Sequence, residues 1–485
     1  MKDVKEAIKI LREEGYTIPN NVARYYKNTD TWRKWWEGFV SSFHNHEVGT
    51  ADGTLTTLRR YSLGMAKTVS EDWANLLLNE KTFIDVKDDA TQKYLSGDKE
   101  TQEGGLLNRV DFWTKGNIQV ENAYATGTSA IIIGVENASA IDNDETLEVS
   151  SGEIVYRYID DPQCIIPFSW NDTEIVDCAF MDDYYENGMR MMHIQIHEKE
   201  ETKYKVTNLL YKLNRNKWEK DTYEGAEAYR SPAKMFHIMK PNLSNNIDGS
   251  VPFGISVFAN ATDQLMGIDL AIDNLGMDFL LGRKKVFMEQ DMMVTFTDKE
   301  GKPRVHTGAT IEQTLFHSMG AKKLSDKPSY QEYNPALRVE ENKAGIQTQL
   351  DLLSLKVGMG TNRYSFENGM VYTNVTQTKN SNKDLYESVN KQRVAITSFL
   401  KGLIKNTLIV AKSVGEPVNP EALITVRFDD SAFTDEETER MRFLQEIREG
   451  VRQKWEYRVK YLSESEEEAK AMVAEEELDL TGAFS

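Results

Sequence analysis

Between residues 256 and 285 the apolar positions alternate three and four apart: Phe258, Ala261, Leu265, Ile268, Ile272, Leu275 and Phe279. That spacing draws a narrow a/d seam along one helix, roughly 45 Å long at about 1.5 Å per residue. A second stretch, Ile346, Leu350, Leu353 and Val357, repeats the spacing. Between the two lies a polar, β-leaning insert with turn signals at 298–303 and at Lys327-Pro328. The pattern predicts a helix going out, a compact module at its tip and a helix coming back. Two readings fit the first helix. It is a core helix of a large domain, or it packs sideways in an assembly and shows water a carboxylate-rich face.

The rest of the chain is mixed. Residues 3–14 read as a helix ended by Gly15, and Trp32, Trp35, Trp36 and Phe39 share a helix face, for packing or as a stacking platform. A strong helix is expected over 55–78, from Leu58, Tyr61, Met65, Val69, Trp73, Leu76 and Leu77. Another at 106–123 leads to a buried strand, Ala130 to Val135. Ile154 to Ile159 alternates, and strands at 163–168, 174–182, 190–198, 203–212 and 216–219, parted by turn residues, indicate an antiparallel meander. Glycines and asparagines from Gly358 to Gly369 mark a loop, and a long helix resumes near Ser381 and ends before Gly415. A strand at 424–428 follows. Capping boxes at Thr434/Glu437 and Ser463/Glu466 then begin two charged helices.

Composition narrows the classes. At 485 residues the chain needs more than one core. With 58 basic and 77 acidic residues its net charge is −19, a composition that does not provide the strongly basic surface a sequence-independent grip on DNA needs, though it leaves room for DNA passing nearby. Off the heptad seam sit Asp263, Asp269, Asp273 and Asp278, with Arg283, Lys284 and Lys285 at the helix's negative pole. Four carboxylates argue against a membrane span there, and no transmembrane segment, signal peptide or repeat is read elsewhere. Cys164 and Cys178 are the only cysteines and fit a reducing compartment, although they could pair. There is no P-loop, nucleophile elbow, His-Glu-x-x-His or zinc-spaced cysteine set. His44 and His46 alone make a weak metal site, and Asp160-Asp161, Asp182-Asp183 and Asp429-Asp430 most simply mark turns. No catalytic residue, cofactor or metal is expected.

The order of these parts resembles the portal proteins of tailed bacteriophages of Gram-positive hosts. The stretches that carry it are Arg60 to Glu80, Pro252-Phe-Gly-Ile-Ser-Val-Phe-Ala running into the aspartate-bearing helix, Tyr364 to Thr376, and Val426 to Phe433 with Asp435 and its charged helix. The similarity covers nearly the whole chain, and its specificity lies in order and combination. It implies an α+β portal-type fold: a wing (1–254 and 380–433), a two-helix stem (255–285 and 339–357), a small α/β clip (286–338), a tunnel loop (358–379) and a helical crown (434–485). It further implies a homo-oligomeric ring, usually of twelve subunits, in the virion at one capsid vertex, assembled in the host cytoplasm among major capsid and scaffolding proteins. Such a ring serves as the channel for double-stranded DNA during packaging and ejection. It docks the large subunit of the terminase, which hydrolyses the ATP, and head-completion or adaptor proteins. Another minor capsid or connector protein, or a metal-dependent nuclease, are the alternatives.

On this reading the subunit-packing seam is Phe258, Leu265, Ile268, Ile272, Leu275 and Phe279. Channel-lining candidates are Asp263, Asp269, Asp273 and Asp278, with Arg363 and Lys379 in the tunnel loop. A carboxylate face would repel phosphates and let a duplex slide.

Overall fold

A computed structural model describes residues 3–49, 53–79, 82–98, 104–143, 146–223, 227–288, 295–297, 301, 303–305, 316–318, 330–361, 363–365, 375–428, 436–462 and 469–473. The fold is α+β. It divides into two compact units, Met1–Glu80 with Ile84–Val426, and Lys81–Phe83 with Arg427–Ser485.

In the first unit, α1 (Val4–Glu13), α2 (Asn20–Trp36) and a one-turn α3 (Ser41–His44) lead into a hairpin of β1 (Asn45–Gly49) and β2 (Leu55–Arg59). Then come α4 (Met65–Leu77), β3 (Phe83–Val86), α5 (Asp89–Ser96), α6 (Leu106–Arg109) and α7 (Phe112–Thr126). The expected helix over 55–78 is therefore helical only from Met65 to Leu77, and Leu55–Arg59 is a strand. Leu55-Thr-Thr-Leu58 pairs with β1, and Gly64, at φ 69°, turns the chain into α4. The three-four spacing of Leu58, Tyr61 and Met65 mimicked a helix across that turn. Trp32 and Trp35 are buried, so the tryptophan face of α2 is packing.

A nine-stranded sheet is the centre of this unit. Its strands are β4 (Ser129–Asn143), β5 (Thr146–Ile159), β6 (Ile165–Trp170), β7 (Ile175–Glu186), β8 (Met189–Glu200), β9 (Lys203–Asn214), β10 (Lys217–Asp221), β11 (Ala228–Ser231) and β12 (Phe236–Met239). The order is β12-β4-β5-β11-β9-β8-β7-β6, with β10 on β9. From β6 to β10 it is the antiparallel meander the sequence spells out. Asn187, at φ 50°, and Gly188, at φ 79°, make the β7–β8 turn as their residue types allow. Tyr156 on one face donates to or accepts from Thr407 at 2.8 Å, and Gln119 of α7 donates to the carbonyls of Ala130 and Ile159. Cys164 and Cys178 are both free and buried.

The sheet is curled. Phe236 of β12 meets Phe180 of β7 at 5.2 Å and His197 of β8 at 5.3 Å, although β12 and β7 lie near opposite ends of the strand order. A polar network spans the strands nearby. Arg157 donates to Gln195 Oε1 at 3.1 Å and to His193 Nδ1 at 3.3 Å. His193 Nε2 and Gln195 Nε2 both donate to Asn208 Oδ1, and His197 Nε2 donates to Gln195 Oε1.

After the sheet, a 3-10 turn at Ala259–Ala261 opens α8 (Thr262–Leu281), about 30 Å long. The insert holds β13 (Lys285–Met288), β14 (Thr295–Thr297), β15 (Pro303–Val305), β16 (Phe316–Ser318) and β17 (Tyr330–Tyr333). They form a three-stranded sheet, β16-β13-β17, and a two-stranded one, β14-β15; most of the predicted clip otherwise lies outside the described residues. Helix α9 (Val339–Lys356) returns, and α10 (Val375–Ser413) follows, beginning earlier than the Ser381 expected. Within α10, Asp384–Ser413 is long and apolar enough to cross a membrane, but half of its apolar window is buried in the fold. Val389, Leu400, Leu403 and Leu408 are among the core side chains there, as befits a helix packed on β12 and β5. Strand β18 (Ile424–Arg427) pairs with β3.

The second unit contains α11 (Glu436–Arg448) and α12 (Lys454–Leu462). Phe443 anchors them, against Tyr461 at 5.5 Å and under the Arg452 guanidinium at 4.4 Å. The two C-terminal capping boxes lie outside the described residues, in whole or in the side chains that would form them.

Burial, with the Arg157 charge next, pushes His193 from 6.5 down to about 4 and His197 down to about 3. Both stay neutral in the folded chain and charge more readily once unfolded. Their stabilising effect is therefore complete above about pH 6.5 and is lost as pH falls towards 4 and then 3. Each contributes at most about 1.4 kcal/mol per pH unit in that window. Thermal unfolding followed by circular dichroism should show a midpoint falling from pH 6.5 to 4, and a flatter profile in His193→Gln/His197→Gln. An equal slope in the double variant would contradict this assignment.

Candidate functional site

Helices α8 and α9 pack antiparallel. Gly267 lies against Gln349, Asn274 donates to Asn342 at 2.8 Å, and Asp278 accepts from Arg338 at 2.6 Å and from Asn342 at 2.7 Å. A Cβ on Gly267 would sit 2.7 Å from Gln349 Oε1, so glycine lets the helices approach there. The α9 seam residues Ile346, Leu350, Leu353 and Val357 are all buried. On α8, Phe258, Ala261, Leu265 and Ile268 are buried, Ile272 and Leu275 only half-buried, and Phe279 exposed. The seam is thus closed within one chain at its first half and opens towards the tip.

The aspartates do not form one solvent-facing row. Asp269 and Asp273 are buried. The Asp269 carboxylate accepts from Leu63 N–H at 2.8 Å, from Ser62 Oγ at 3.0 Å and from His44 Nε2 at 3.0 Å. His44 Nδ1 lies 2.8 Å from the Val40 backbone nitrogen and 3.1 Å from the Val40 carbonyl oxygen, and its Nε2 faces Asp269. One turn on, Asp273 accepts from Tyr61 N–H at 3.3 Å, and the Tyr61 ring lies over Gly276. The segment between β2 and α4 is thereby tied across α8. His44, weighed as half of a metal site, is instead a hydrogen-bond donor to a carboxylate.

Of the remaining channel candidates, Asp263 is exposed. Asp278 is tied to α9, and the hydrogen bonds from Arg338 and Asn342 hold its carboxyl below the ordinary value. Arg363 pairs with Asp72 of α4 at 3.5 Å, while Gln347 donates to the Tyr364 carbonyl at 2.9 Å. The start of the predicted tunnel loop is therefore held on the fold, with Gly358 and Gly360 both at positive φ. Residues 366–374 lie outside the described residues. Lys379 falls within the backbone of α10, and its side chain lies outside what is described.

What sequence reasoning missed is the exposed apolar surface on the helix pair. Leu352 and Leu355 stand open at one end, Leu270 near the middle, and Phe279, Leu280 and Leu281 near the tip, with Leu355 60% and Leu281 59% exposed. Of these only Phe279 belongs to the a/d seam. The others fall beside it, where a strict heptad reading does not look.

Among the described residues no three His, Cys, Asp or Glu side chains come together as a metal site. Asp161 pairs with Arg33, and Asp183 accepts from Arg190 Nε at 2.8 Å.

No family model matches this sequence, and no curated protein does. Among solved structures, it is similar to a chain in the neck of a native GTA particle computed with C12 symmetry. That alignment covers 81% of this chain and 87% of the other, with 11% identity and a TM-score of 0.36. A likeness at that level carries no argument for function.

Asp269→Ala should strand the buried His44 Nε2 donor and remove the part-buried bonds from Ser62 and Leu63, at a cost of about 2–4 kcal/mol. Hydrogen exchange followed by mass spectrometry should show the 59–64 segment losing protection before the sheet does. Unchanged protection of that segment would mean that Asp269 does not hold it.

Proposed function

We propose that this chain is a portal-type subunit: a protein that closes into a ring through its helix pair and gives passage to double-stranded DNA at a capsid vertex. The observation that carries this reading is the exposed leucine and phenylalanine surface on α8 and α9 of a chain that is otherwise strongly acidic. The consecutive Phe279, Leu280 and Leu281, each about half exposed, form the densest run on the pair, and an exposed apolar cluster of this kind marks an interaction surface. A repeated head-to-tail contact whose rotation closes gives a ring. The helix–insert–helix order and the residue resemblance to phage portals agree with it.

The ring reading assigns α8 and α9 to a stem, the insert at 286–338 to a clip that meets the terminase or a head-completion protein, and 358–379, which includes the first residues of α10, to the tunnel loop. It also revises the chemistry of passage. Asp269 and Asp273 are occupied in holding the chain together, so repulsion of phosphate rests on Asp263 and on the overall negative charge. Arg363, held by Asp72, is not a free cation waiting for DNA.

The ring contact is tested with side chains that are exposed in the single chain, since an acid at buried Leu265 would unfold it. Leu280→Asp/Leu281→Asp should leave the far-ultraviolet circular dichroism unchanged and convert large rings to monomers in sedimentation velocity. Rings that survive the double substitution would remove this surface from the contact. A wild-type monomer that cleaves DNA with Mg²⁺ would overturn the portal reading in favour of a nuclease.

A further inference from the structure

A pocket of about 250 Å³ opens where α4, the 243–260 segment, the end of α9 and the middle of α10 meet. Its floor is apolar, from buried Trp73, Ile255 and Val257. The described residues that line it include no carboxylate, in a chain of net charge −19. Two exposed lysines, Lys356 from α9 and Lys391 from α10, line it instead, and neither makes an ion pair with a described residue.

The polar wall is built for donation. Gln392 is only 4% exposed, and its Oε1 already accepts from Tyr124 Oη at 2.8 Å and from Asn242 N–H at 2.7 Å. A backbone N–H can only donate, so the orientation of this amide is fixed. Its Nε2 is left without a hydrogen-bond partner among the described residues, and it is the polar group Gln392 has to offer the pocket. Ser388, which also lines the pocket, has a hydroxyl equally without a partner among them. Two lysines and two side chains with unspent hydrogen-bonding groups, from two helices, line one small cavity.

We propose that this pocket binds a phosphate group. Inorganic phosphate presents four oxygens and one or two negative charges, and a phosphodiester two non-bridging oxygens sharing one charge; both can be met by two ammonium groups and two neutral donors, the free anion more fully. The group can come from free inorganic phosphate or from a nucleic-acid backbone. The proposal stands apart from the ring reading, because every contributing residue lies in one chain.

Isothermal titration of the full chain with inorganic phosphate, and separately with dimethyl phosphate, tests it. Saturable binding of at least one is expected. Lys356→Gln and Lys391→Gln should each weaken it about tenfold, as for the loss of one charged hydrogen bond. Lys401→Gln, on an exposed part of α10 beyond the pocket, should not. Because the lysines are exposed, thermal midpoints without phosphate should match wild type, which separates lost binding from lost folding. Binding of phosphate alone assigns the site to the free anion, and binding of the diester extends it to a nucleic-acid backbone. No saturable binding of either ligand, or undiminished affinity in Lys356→Gln/Lys391→Gln, overturns the proposal.

Discussion

The first unit depends on one buried carboxylate. Asp269 sits on α8, and its donors come from residues more than two hundred positions earlier in the chain. A charge removed from water is costly unless its hydrogen bonds are replaced, and here His44, Ser62 and Leu63 replace them. With Leu63 N–H and Tyr61 N–H both engaged, the direction of the chain between β2 and α4 is set. Helix α4 then passes the constraint on: the Trp73 indole donates to the Val357 carbonyl at the end of α9, and Asp72 holds Arg363. Both helices of the pair are thus tied to the N-terminal region through a short polar segment.

This arrangement inverts what a helix wheel suggests. Two of the four aspartates of α8 are inside, and several leucines of α8 and α9 are outside. The carboxylates serve cohesion within the chain, where donors can be supplied precisely where they are needed. The leucines are left for contact with something apolar. In the proposed ring a neighbouring copy would cover them, one face of the helix pair meeting a different face of the next copy in a head-to-tail contact.

Much of the architecture was legible because it is local. The β6–β10 meander, the return helix with Ile346, Leu350, Leu353 and Val357, and the tryptophan face of α2 follow from periodicity and turn residues that act over a few positions. The errors arise where distant segments compete with local preference. Leu55 to Arg59 became a strand because β1 lay ready to pair with it. The heptad seam was read as uniform, yet Phe258 to Ile268 are covered by the fold while Ile272 to Phe279 are progressively uncovered. Nothing local distinguishes the two halves. The burial of Asp269 was equally hidden, because its donors include a backbone amide and a serine that any turn could carry. Residues of the phosphate pocket come from four separate parts of the chain, and only their meeting gives Gln392 an unspent donor.

Native mass spectrometry of the purified full chain tests the central claim most directly. The account predicts a closed assembly whose mass is a whole multiple of the 55.5 kDa chain, with a ring of about twelve copies expected for a portal. A population of monomers alone, at concentrations where the exposed α8 and α9 surfaces would be forced to find a partner, would contradict it.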